Sequence, residues 1–381
     1  MNKHVGIIGA GQLGAFLCTS AERLQLETTI LTPIADSPAN KVANHVLLAA
    51  YDDENAVREL CETCDVITFE FEDIPDLTLN LLEAAAASGQ VTVFPKPDII
   101  RLIKNKARQK TWLSENDFPT SPFEVLDTAS YADLAKKFGT RFVQKAQTGG
   151  IDGRGVQVID VHNQAQLWQA PSLVEAFVEH EKELAVLVAR SANNDIKVYP
   201  VVEQKFSSEA NILIVANSPA ELSTDLETQA KALGADVVQR LDGVGIFAIE
   251  LFLTESGELL INEISPRVHN SGHLSIDAHV TCQYAQHLRA ITGNELGDVS
   301  QREPAAMANL LYTDALADFL SLPFSNWPLS AAATLYWYGK SEARQGRKMG
   351  HITATGASLN EATERAINAK ILSKHDGETV T

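Results

Sequence analysis

Two carboxylates in consecutive apolar segments are placed where they could bind a metal ion. Glu250 belongs to GIFAIELFLT and Glu263 to LLINEIS, with Gly257 in the turn between them. A hairpin with this turn would bring both carboxylates and Asn262 close together. Acids among apolar residues are costly unless they are paired or metal-bound, and Mg²⁺ prefers hard oxygen ligands. We therefore expect a magnesium site, with a pair of solvated strand carboxylates as the alternative.

A glycine-rich segment between two strand-like runs is the second candidate. Lys145–Val156 reads KAQTGGIDGRGV and holds four glycines and two cations. A hairpin of this composition can place backbone amides and positive charge over phosphate groups. The alternative is a surface hairpin whose Asp-Gly pair supplies the turn. The lysine at the end of the first strand favours phosphate binding.

Two further segments concentrate hydrogen-bond donors and cations. Arg267–His273 reads RVHNSGH and follows the second carboxylate segment, so it could hold an anionic substrate or polarise a reacting carbonyl. Lys340–Lys348 holds four cations in an otherwise acidic chain. An anion site accounts for that contrast better than a solvated basic loop does.

The opening glycine motif is more ambiguous. Gly9–Gly14 reads GAGQLG, follows a strand-like run and opens a helical one, which is the context of a dinucleotide-binding turn. Such sites usually carry an acid at the end of the second strand, but Thr32 and Pro33 stand there and Asp36 comes later. The motif therefore favours a phosphate of another ligand. A nicotinamide cofactor and a turn without any ligand stay open as alternatives.

These residues need a scaffold in which strands and helices alternate. Residues 4–94 alternate strand-like and helical patterns, which predicts a parallel sheet wound with helices. The following segment, PKPDIIRLIKNKARQKTWLSEND, reads as one basic amphipathic helix that ends before Pro119. From about 120 to 290 strands and hairpins dominate, which indicates an α+β domain. Short strands around TLYWYG and HITATG and a final helical run complete the chain.

The bulk composition excludes several classes of protein. The chain has 381 residues, about two to three domain lengths, so we expect several domains. Its formal net charge of -18 disfavours nucleic acid as a partner. No window reaches the roughly 18 apolar residues of a spanning helix, and no secretion signal is visible, so we expect no membrane partner and a cytoplasmic location. Cys61 and Cys64 form a CxxC without a second pair, so we expect free thiols.

Taken together, the motifs resemble those of the ATP-grasp superfamily, and within it the 5-(carboxyamino)imidazole ribonucleotide synthase family, over essentially the full chain. The resemblance rests on GAGQLG, FEFEDIP, TGGIDGRG, VEAFVEHEKE, YPVVE, INEISPRVHNSGH and WYGKSEARQGRKMGH. It implies an α/β and α+β protein with an ATP-grasp fold. The implied parts are an N-terminal Rossmann-like pre-ATP-grasp domain at 1–95, an ATP-grasp domain at 96–290 with a mobile B subdomain at about 120–180, and a small β-rich C-terminal domain at 291–381 that contributes to the substrate site.

The family resemblance also implies an activity. It is a homodimeric ligase that uses ATP and bicarbonate to carboxylate the exocyclic amine of 5-aminoimidazole ribonucleotide through carboxyphosphate, in purine biosynthesis. Its cofactors are ATP and Mg²⁺, with Mn²⁺ as an alternative metal. Glu250 and Glu263 would bind the metal. Asp152, Arg267 and Lys340 would be catalytic, with Asp152 taking the amine proton and Arg267 stabilising carboxyphosphate or the carbon dioxide derived from it.

Binding residues carry over by position in the matching motifs. For ATP the resemblance implies Lys106, Lys145, Gly150, Ile151, Asp152, Gly153, Arg154, Gly155, Val156, Glu175, Ala176, Phe177, Val178, Glu183, Asn262 and Glu263. For the aminoimidazole nucleotide it implies Gly11, Gln12, Leu13, Glu70, Asp152, Arg267, His269, Asn270, Ser271, Lys340, Arg347 and Lys348.

Three positions depart from the family pattern. Ala15 stands where the family usually has Arg, Ile151 where it often has Tyr, and Phe206 where a nucleotide-site His is expected. The alternatives are another carboxylating or formyl-transferring ATP-grasp ligase, such as glycinamide ribonucleotide transformylase or biotin carboxylase, a nicotinamide oxidoreductase, and a non-catalytic nucleotide-binding module. The PRVHNSGH and GRKMGH runs argue against the two other ligases.

Overall fold

The N-terminal unit is a parallel sheet with helices, as the alternating pattern predicts. The computed structural model describes residues 3–127, 131–149, 155–160, 167–207, 212–312, 316, 333–341 and 344–369. The first sheet has the strand order β3-β2-β1-β4-β5 with parallel pairing throughout. Its strands are β1 (His4–Ile8), β2 (Glu27–Thr32), β3 (His45–Leu48), β4 (Val66–Phe69) and β5 (Thr92–Val93). The helices between them are α1 (Gln12–Arg23), α2 (Glu54–Thr63) and α3 (Asp76–Ala87).

The single helix predicted after residue 95 is two helices, so that prediction is wrong. They are α4 (Pro97–Ile103) and α5 (Lys106–Glu115). The chain breaks because the Asn105 side chain accepts a hydrogen bond from Arg108 N at 2.9 Å and caps a new helix, while Lys106 N donates to Gln147 O at 2.8 Å. The break places Lys106 at the start of α5. That helix ends before Pro119, as predicted.

A small antiparallel sheet carries the glycine-rich hairpin. Its order is β6-β9-β7-β8. The strands are β6 (Phe123–Leu126), β7 (Arg141–Ala146), β8 (Val156–Asp160) and β9 (Ser172–Ala176), and α6 (Tyr131–Phe138) lies against β7. Lys145 is the register partner of Val156, so the two strand-like runs on either side of the glycines pair as expected. Phe142, Ile159 and Val174 form the small core beneath this sheet.

The central sheet is larger and antiparallel, and the C-terminal strands extend it. Its order is β15-β14-β10-β12-β13-β16-β18-β17, with β11 beside β10. The strands are β10 (Lys182–Arg190), β11 (Ile196–Val198), β12 (Val202–Phe206), β13 (Leu213–Ser218), β14 (Gly245–Leu253), β15 (Leu259–Ser265), β16 (Ala305–Leu311), β17 (Ala333–Trp337) and β18 (Lys348–Thr355). The remaining helices of the described chain are α7 (Thr224–Arg240), α8 (Ser275–Ala278), α9 (Gln283–Thr292) and α10 (Leu359–Ile367).

Helices cover both faces of this sheet. Val186 and Val188 of β10 belong to the core under α7, whereas their neighbours Leu187 and Ala189 belong to the core shared with α1 and α9. This alternation follows from the period of two along a strand. Both faces of β10 are therefore packed against apolar side chains. Within the described residues, no helix combines the length and apolar composition needed to cross a membrane.

An aromatic cluster fixes the C-terminal strands against the N-terminal unit. Phe16 of α1 lies 5.1 Å from the Tyr284 ring and 6.2 Å from the Tyr338 ring, measured between centroids. Behind it, His273 and His351 stack with their centroids 4.4 Å apart. The cluster therefore joins α1, the RVHNSGH run and β18. It sets where the C-terminal cations lie relative to the first glycine turn.

Candidate functional site

Most of the residues singled out in the sequence surround one cavity of about 490 Å³. It opens between the small sheet and the end of the central sheet that carries β14 and β15. Of the predicted site residues, those lining it are Lys106, Lys145, Val156, Glu175, Ala176, Phe177, Val178, Glu183, Glu250, Asn262, Glu263, Arg267, His269, Asn270 and Lys348. Gly150, Ile151, Asp152, Gly153 and Arg154 lie outside the described residues.

The two candidate metal ligands face each other across a strand pair. β14 and β15 form the expected hairpin, Gly257 adopts φ +83° in its turn, and Glu250 is the register partner of Glu263. Burial and then repulsion by Glu263 raise the pKa of Glu250 to about 7. Lys106 Nζ contacts Oε1 of Glu263, and Gln204 Nε2 donates to Oε1 of Glu250 at 3.4 Å.

This acid pair fits a divalent cation. Two neighbouring carboxylates offer hard oxygen ligands, and burial, followed by repulsion from Glu263, makes the ionised form of Glu250 costly without a cation. The described residues contain no group of three or more His, Cys, Asp or Glu side chains that could hold a metal alone. Any ion here would need further ligands, which substrate oxygens and water can supply.

One buried carboxylate pairs with two buried lysines at the neighbouring wall. Glu175 lies 3.1 Å from Lys110 Nζ and 3.0 Å from Lys145 Nζ, and Ser121 Oγ donates to it at 2.8 Å. Burial alone would raise the pKa of Glu175, but the two ammonium groups hold it at about 2. Lys145 also donates to Asn262 Oδ1 at 3.0 Å. The Glu175 carboxylate thus positions two buried ammonium groups beside the cavity.

The first glycine turn is occupied by a protein carboxylate. Gly11 N, at the start of α1, donates to Glu70 Oε2 at 2.5 Å, and the Gly14 amide also hydrogen-bonds this carboxylate. Burial raises the pKa of Glu70, while these amides and the charges of Arg267 and Lys340 oppose the increase. Because Glu70 already satisfies the amides, the structure argues against the phosphate predicted at this turn. Gln12 begins α1.

The side chain of Leu13, another predicted substrate contact, belongs to the core.

The RVHNSGH run presents a fixed cation and an unsatisfied amide. Arg267 binds Glu72 in a bidentate ion pair, with Nε 2.6 Å from Oε2 and an Nη 3.2 Å from Oε1. Ser271 is buried and its Oγ lies 2.9 Å from His269 Nδ1. Both polar atoms of the Asn270 side chain are buried without a hydrogen-bond partner among the described residues. An unsatisfied amide on a cavity wall is suited to a polar ligand.

The C-terminal cations are divided between the cavity and its edge. Lys348 lines the cavity, whereas Lys340 Nζ donates to Lys348 O at 2.9 Å and lies 5.2 Å from the Tyr338 ring centroid. Arg347 lies in the turn before β18, where its carbonyl accepts from Tyr312 N at 2.8 Å. Lys340 acts on Glu70 electrostatically, so the cations and the first glycine turn share one region.

Sequence reasoning missed several groups of this site. Lys110, Glu72 and Gln204 hold or neutralise residues that were predicted, and His180 lines the cavity. The only available signals were local: Glu72 lies in FEFEDIP, and Lys110 lies four residues after Lys106, on the same helix face. Neither local pattern identifies the ion-pair partner, because Glu175 and Arg267 are far away in the sequence.

The architecture and the cavity define an ATP-grasp protein. An ATP-grasp domain matches residues 111–284, a ribonucleotide synthetase preATP-grasp domain matches 1–104, and a phosphoribosylaminoimidazole carboxylase C-terminal domain matches 305–365.

Relatives specify the family. The N5-carboxyaminoimidazole ribonucleotide synthase of Synechococcus elongatus is 38% identical over 379 residues, covering 96% of this chain and 93% of the relative. That of Bacillus subtilis is 36% identical over 357 residues, covering 92% and 90%. The solved N5-carboxyaminoimidazole synthase of Aspergillus clavatus, in complex with ADP and 5-aminoimidazole ribonucleotide, is 29% identical with a TM-score of 0.85, covering 98% and 99%. The chain belongs to the N5-carboxyaminoimidazole ribonucleotide synthase family, which sets aside the nicotinamide oxidoreductase.

Proposed function

We propose that this chain catalyses the ATP- and bicarbonate-dependent carboxylation of 5-aminoimidazole ribonucleotide in purine biosynthesis. The products are N5-carboxyaminoimidazole ribonucleotide, ADP and phosphate. The observation that carries the proposal is a single cavity in which the acid pair, Lys106 and Lys145 meet the Arg267–Asn270 run. Full-length relatives named for this synthase support it, as does the related complex with ADP and 5-aminoimidazole ribonucleotide.

The nucleotide would occupy the wall between the two sheets. Its adenine would lie along the chain from Ala176 to Val178, which links the small sheet to the central sheet, and its ribose at Glu183. Lys106 and Lys145 would neutralise phosphate oxygens, since both ammonium groups reach the cavity. The hairpin glycines and Arg154 would cover the phosphates, as the sequence predicts. Closure would exclude water from a hydrolysable intermediate.

Glu250 and Glu263, helped by Asn262, would hold Mg²⁺ or alternatively Mn²⁺. When bound, the metal would neutralise charge on the phosphate oxygens. Lys106 contacts one of these carboxylates, so it would have to share Glu263 with the ion. The ammonium group would then be free to bind a phosphate oxygen.

The acceptor chemistry would take place at the Arg267 side of the cavity. A bicarbonate oxygen attacks the γ-phosphorus and ADP leaves, which gives carboxyphosphate. Loss of phosphate then yields carbon dioxide, and the substrate amine attacks its carbon. Asp152 would take the amine proton. Arg267 would stabilise the developing anion, because its ion pair with Glu72 fixes the guanidinium.

The aminoimidazole nucleotide would lie between the first glycine turn and the C-terminal cations. Glu70, Asn270 and Lys348 would offer it polar contacts from three parts of the chain, and the remaining predicted contacts are Gly11, Gln12, Leu13, Asp152, Arg267, His269, Ser271, Lys340 and Arg347. We further propose a homodimer and the domain limits 1–95, 96–290 and 291–381, with a B subdomain at about 120–180.

Phosphate release tests the proposal directly. Release from MgATP and bicarbonate is measured with and without 5-aminoimidazole ribonucleotide, and with glycinamide ribonucleotide as the control acceptor. We expect strong stimulation by the aminoimidazole nucleotide alone, together with a carboxylated product. Stimulation by glycinamide ribonucleotide, or by neither acceptor while ATP still binds, would refute the assigned substrate.

A further inference from the structure

A histidine without an assigned role lies on the wall of the nucleotide cavity. His180 belongs to the link between β9 and β10, and its ring stacks on Phe252 of β14 with centroids 4.6 Å apart and planes 23° apart. Glu181 N donates to Leu253 O at 2.8 Å, which attaches the link to the central sheet. The imidazole is therefore held in place where it borders the cavity. Phe206 lines the same cavity, at the position where the family pattern suggested a histidine.

Both ring nitrogens of His180 face oxygen acceptors. Nδ1 is 2.9 Å from Val178 O, and Nε2 is 3.5 Å from Oε1 of Glu183. A carbonyl oxygen only accepts, so Nδ1 carries a proton. In a neutral ring Nε2 would then direct its lone pair at a carboxylate. Both contacts are satisfied best when both nitrogens are protonated and the ring is an imidazolium.

The surrounding charges favour the same protonation state. The contact with Glu183 raises the pKa of His180, although burial opposes this increase. The charge of Glu179 raises the pKa by a smaller amount. Glu179 is itself paired with Arg141 at 3.3 Å. On the other packed elements, β14 contributes the stacked phenyl ring, and β12 contributes the uncharged Gln204 as register partner of Glu183.

We propose that His180 is a positioning residue that holds the Glu183 carboxylate for the ribose hydroxyls of the nucleotide. The inference rests on the proposed function, in which Glu183 binds the ribose. The imidazolium keeps Oε1 on its own side and leaves the second oxygen for a hydroxyl. Because the pKa of His180 is raised, this contact is present below that pKa and is lost as pH rises through it. Ribose recognition should therefore weaken towards alkaline pH.

Binding of ADP and of 2′,3′-dideoxy-ADP, measured by calorimetry between pH 6 and pH 9, tests this role. The two ligands share a diphosphate, so its own titration cancels in their affinity ratio. We expect the wild-type preference for ADP to be largest at pH 6 and to decline with pH. His180→Phe keeps the stacking but loses the charge, and should weaken ADP binding about fivefold at pH 6 while sparing the dideoxy ligand.

Two further variants separate positioning from packing. His180→Gln provides an uncharged donor and should restore part of the preference without its pH dependence. His45→Phe is the matched control, since His45 forms an exposed pair with Glu27 at 2.8 Å, and it should change neither affinity. Equal losses for both ligands in His180→Phe, or no loss, would overturn the inference. Because ADP binding needs no acceptor, failure of the carboxylation assay would leave this test intact.

Discussion

Glu175→Gln should destabilise the folded protein at neutral pH, because one carboxylate serves two buried ammonium groups. Lys110 is only 2% exposed and lies 3.1 Å from Glu175, and Lys145 lies 3.0 Å away. Removing one partner of a buried ion pair costs about 3 to 5 kcal/mol. The pKa of Glu175, about 2, lies below its unfolded value, so its contribution is present above the unfolded pKa and lost as pH falls through about 2. Between pH 7 and pH 9 Glu175 itself is fully ionised in the wild type.

The loss of stability in Glu175→Gln has an upper limit, because the protein can fold with Lys110 in its neutral form. Burial already lowers the pKa of Lys110 from 10.5 to about 8. The pKa of this lysine in the unfolded chain is 10.5, which lies 3.5 units above pH 7 and 1.5 units above pH 9. Deprotonating it therefore costs about 5 kcal/mol at pH 7 and about 2 kcal/mol at pH 9. The folded variant would bind fewer protons than the unfolded chain, so its stability should rise with pH through this range.

Urea unfolding at pH 7 and pH 9 provides the measurement. Glu175→Gln should approach the wild type at pH 9, and Lys110→Met in the same chain should restore stability at pH 7. The control is Glu124→Gln, which breaks an exposed pair with Lys137 and should cost less than about 1 kcal/mol. A loss that is independent of pH, or that persists in the double variant, would refute the electrostatic explanation.

Three further outcomes follow from the site. Glu263→Ala should nearly abolish turnover by removing a metal ligand, whereas Asp152→Ala should spare ATP binding and impair carboxylation; unchanged rates in both would contradict the assignment. Because the pKa of Glu250 is about 7, the carboxyl group must lose its proton before it can bind a metal ion. Apparent Mg²⁺ affinity in metal titrations should therefore be roughly tenfold weaker at pH 6 than at pH 8. Glu250→Gln should remove this pH dependence. Replacing Cys61 or Cys64 by serine should leave the rate near the wild-type value, and a large loss would revive a metal role.

The carboxylate hairpin was predictable because its determinants are local. A glycine at Gly257 and two apolar runs set the hairpin, and a bulge at Asn262 shifts the register by one residue so that Glu263 lies opposite Glu250. The same holds for the Lys145–Val156 hairpin, whose strands adjoin in the sequence. In both cases the sequence contains both partners and the turn that joins them.

Other features depend on distant partners and were not predictable. The helix break at Asn105 comes from a side-chain cap and from a hydrogen bond to Gln147, which follows β7 of the small sheet. The carboxylate in the first glycine turn comes from Glu70, 59 residues after Gly11. A glycine motif shows that something approaches the backbone closely. It does not distinguish a ligand phosphate from a carboxylate of the chain itself.

The pairing of charges explains how an acidic protein can bind anionic substrates. Three cavity cations each have a carboxylate partner: Lys106 with Glu263, Lys145 with Glu175, and Arg267 with Glu72. Burial opposes the charged form, but Glu263 raises the pKa of Lys106 and Glu72 raises the pKa of Arg267. The carboxylate partners differ in their surroundings. Glu175 is buried among two lysines and a serine, whereas Glu263 also faces Glu250. A metal ion at the acid pair would compete with Lys106 for Glu263 and release its ammonium group to a phosphate. Metal and nucleotide would thereby favour each other's binding.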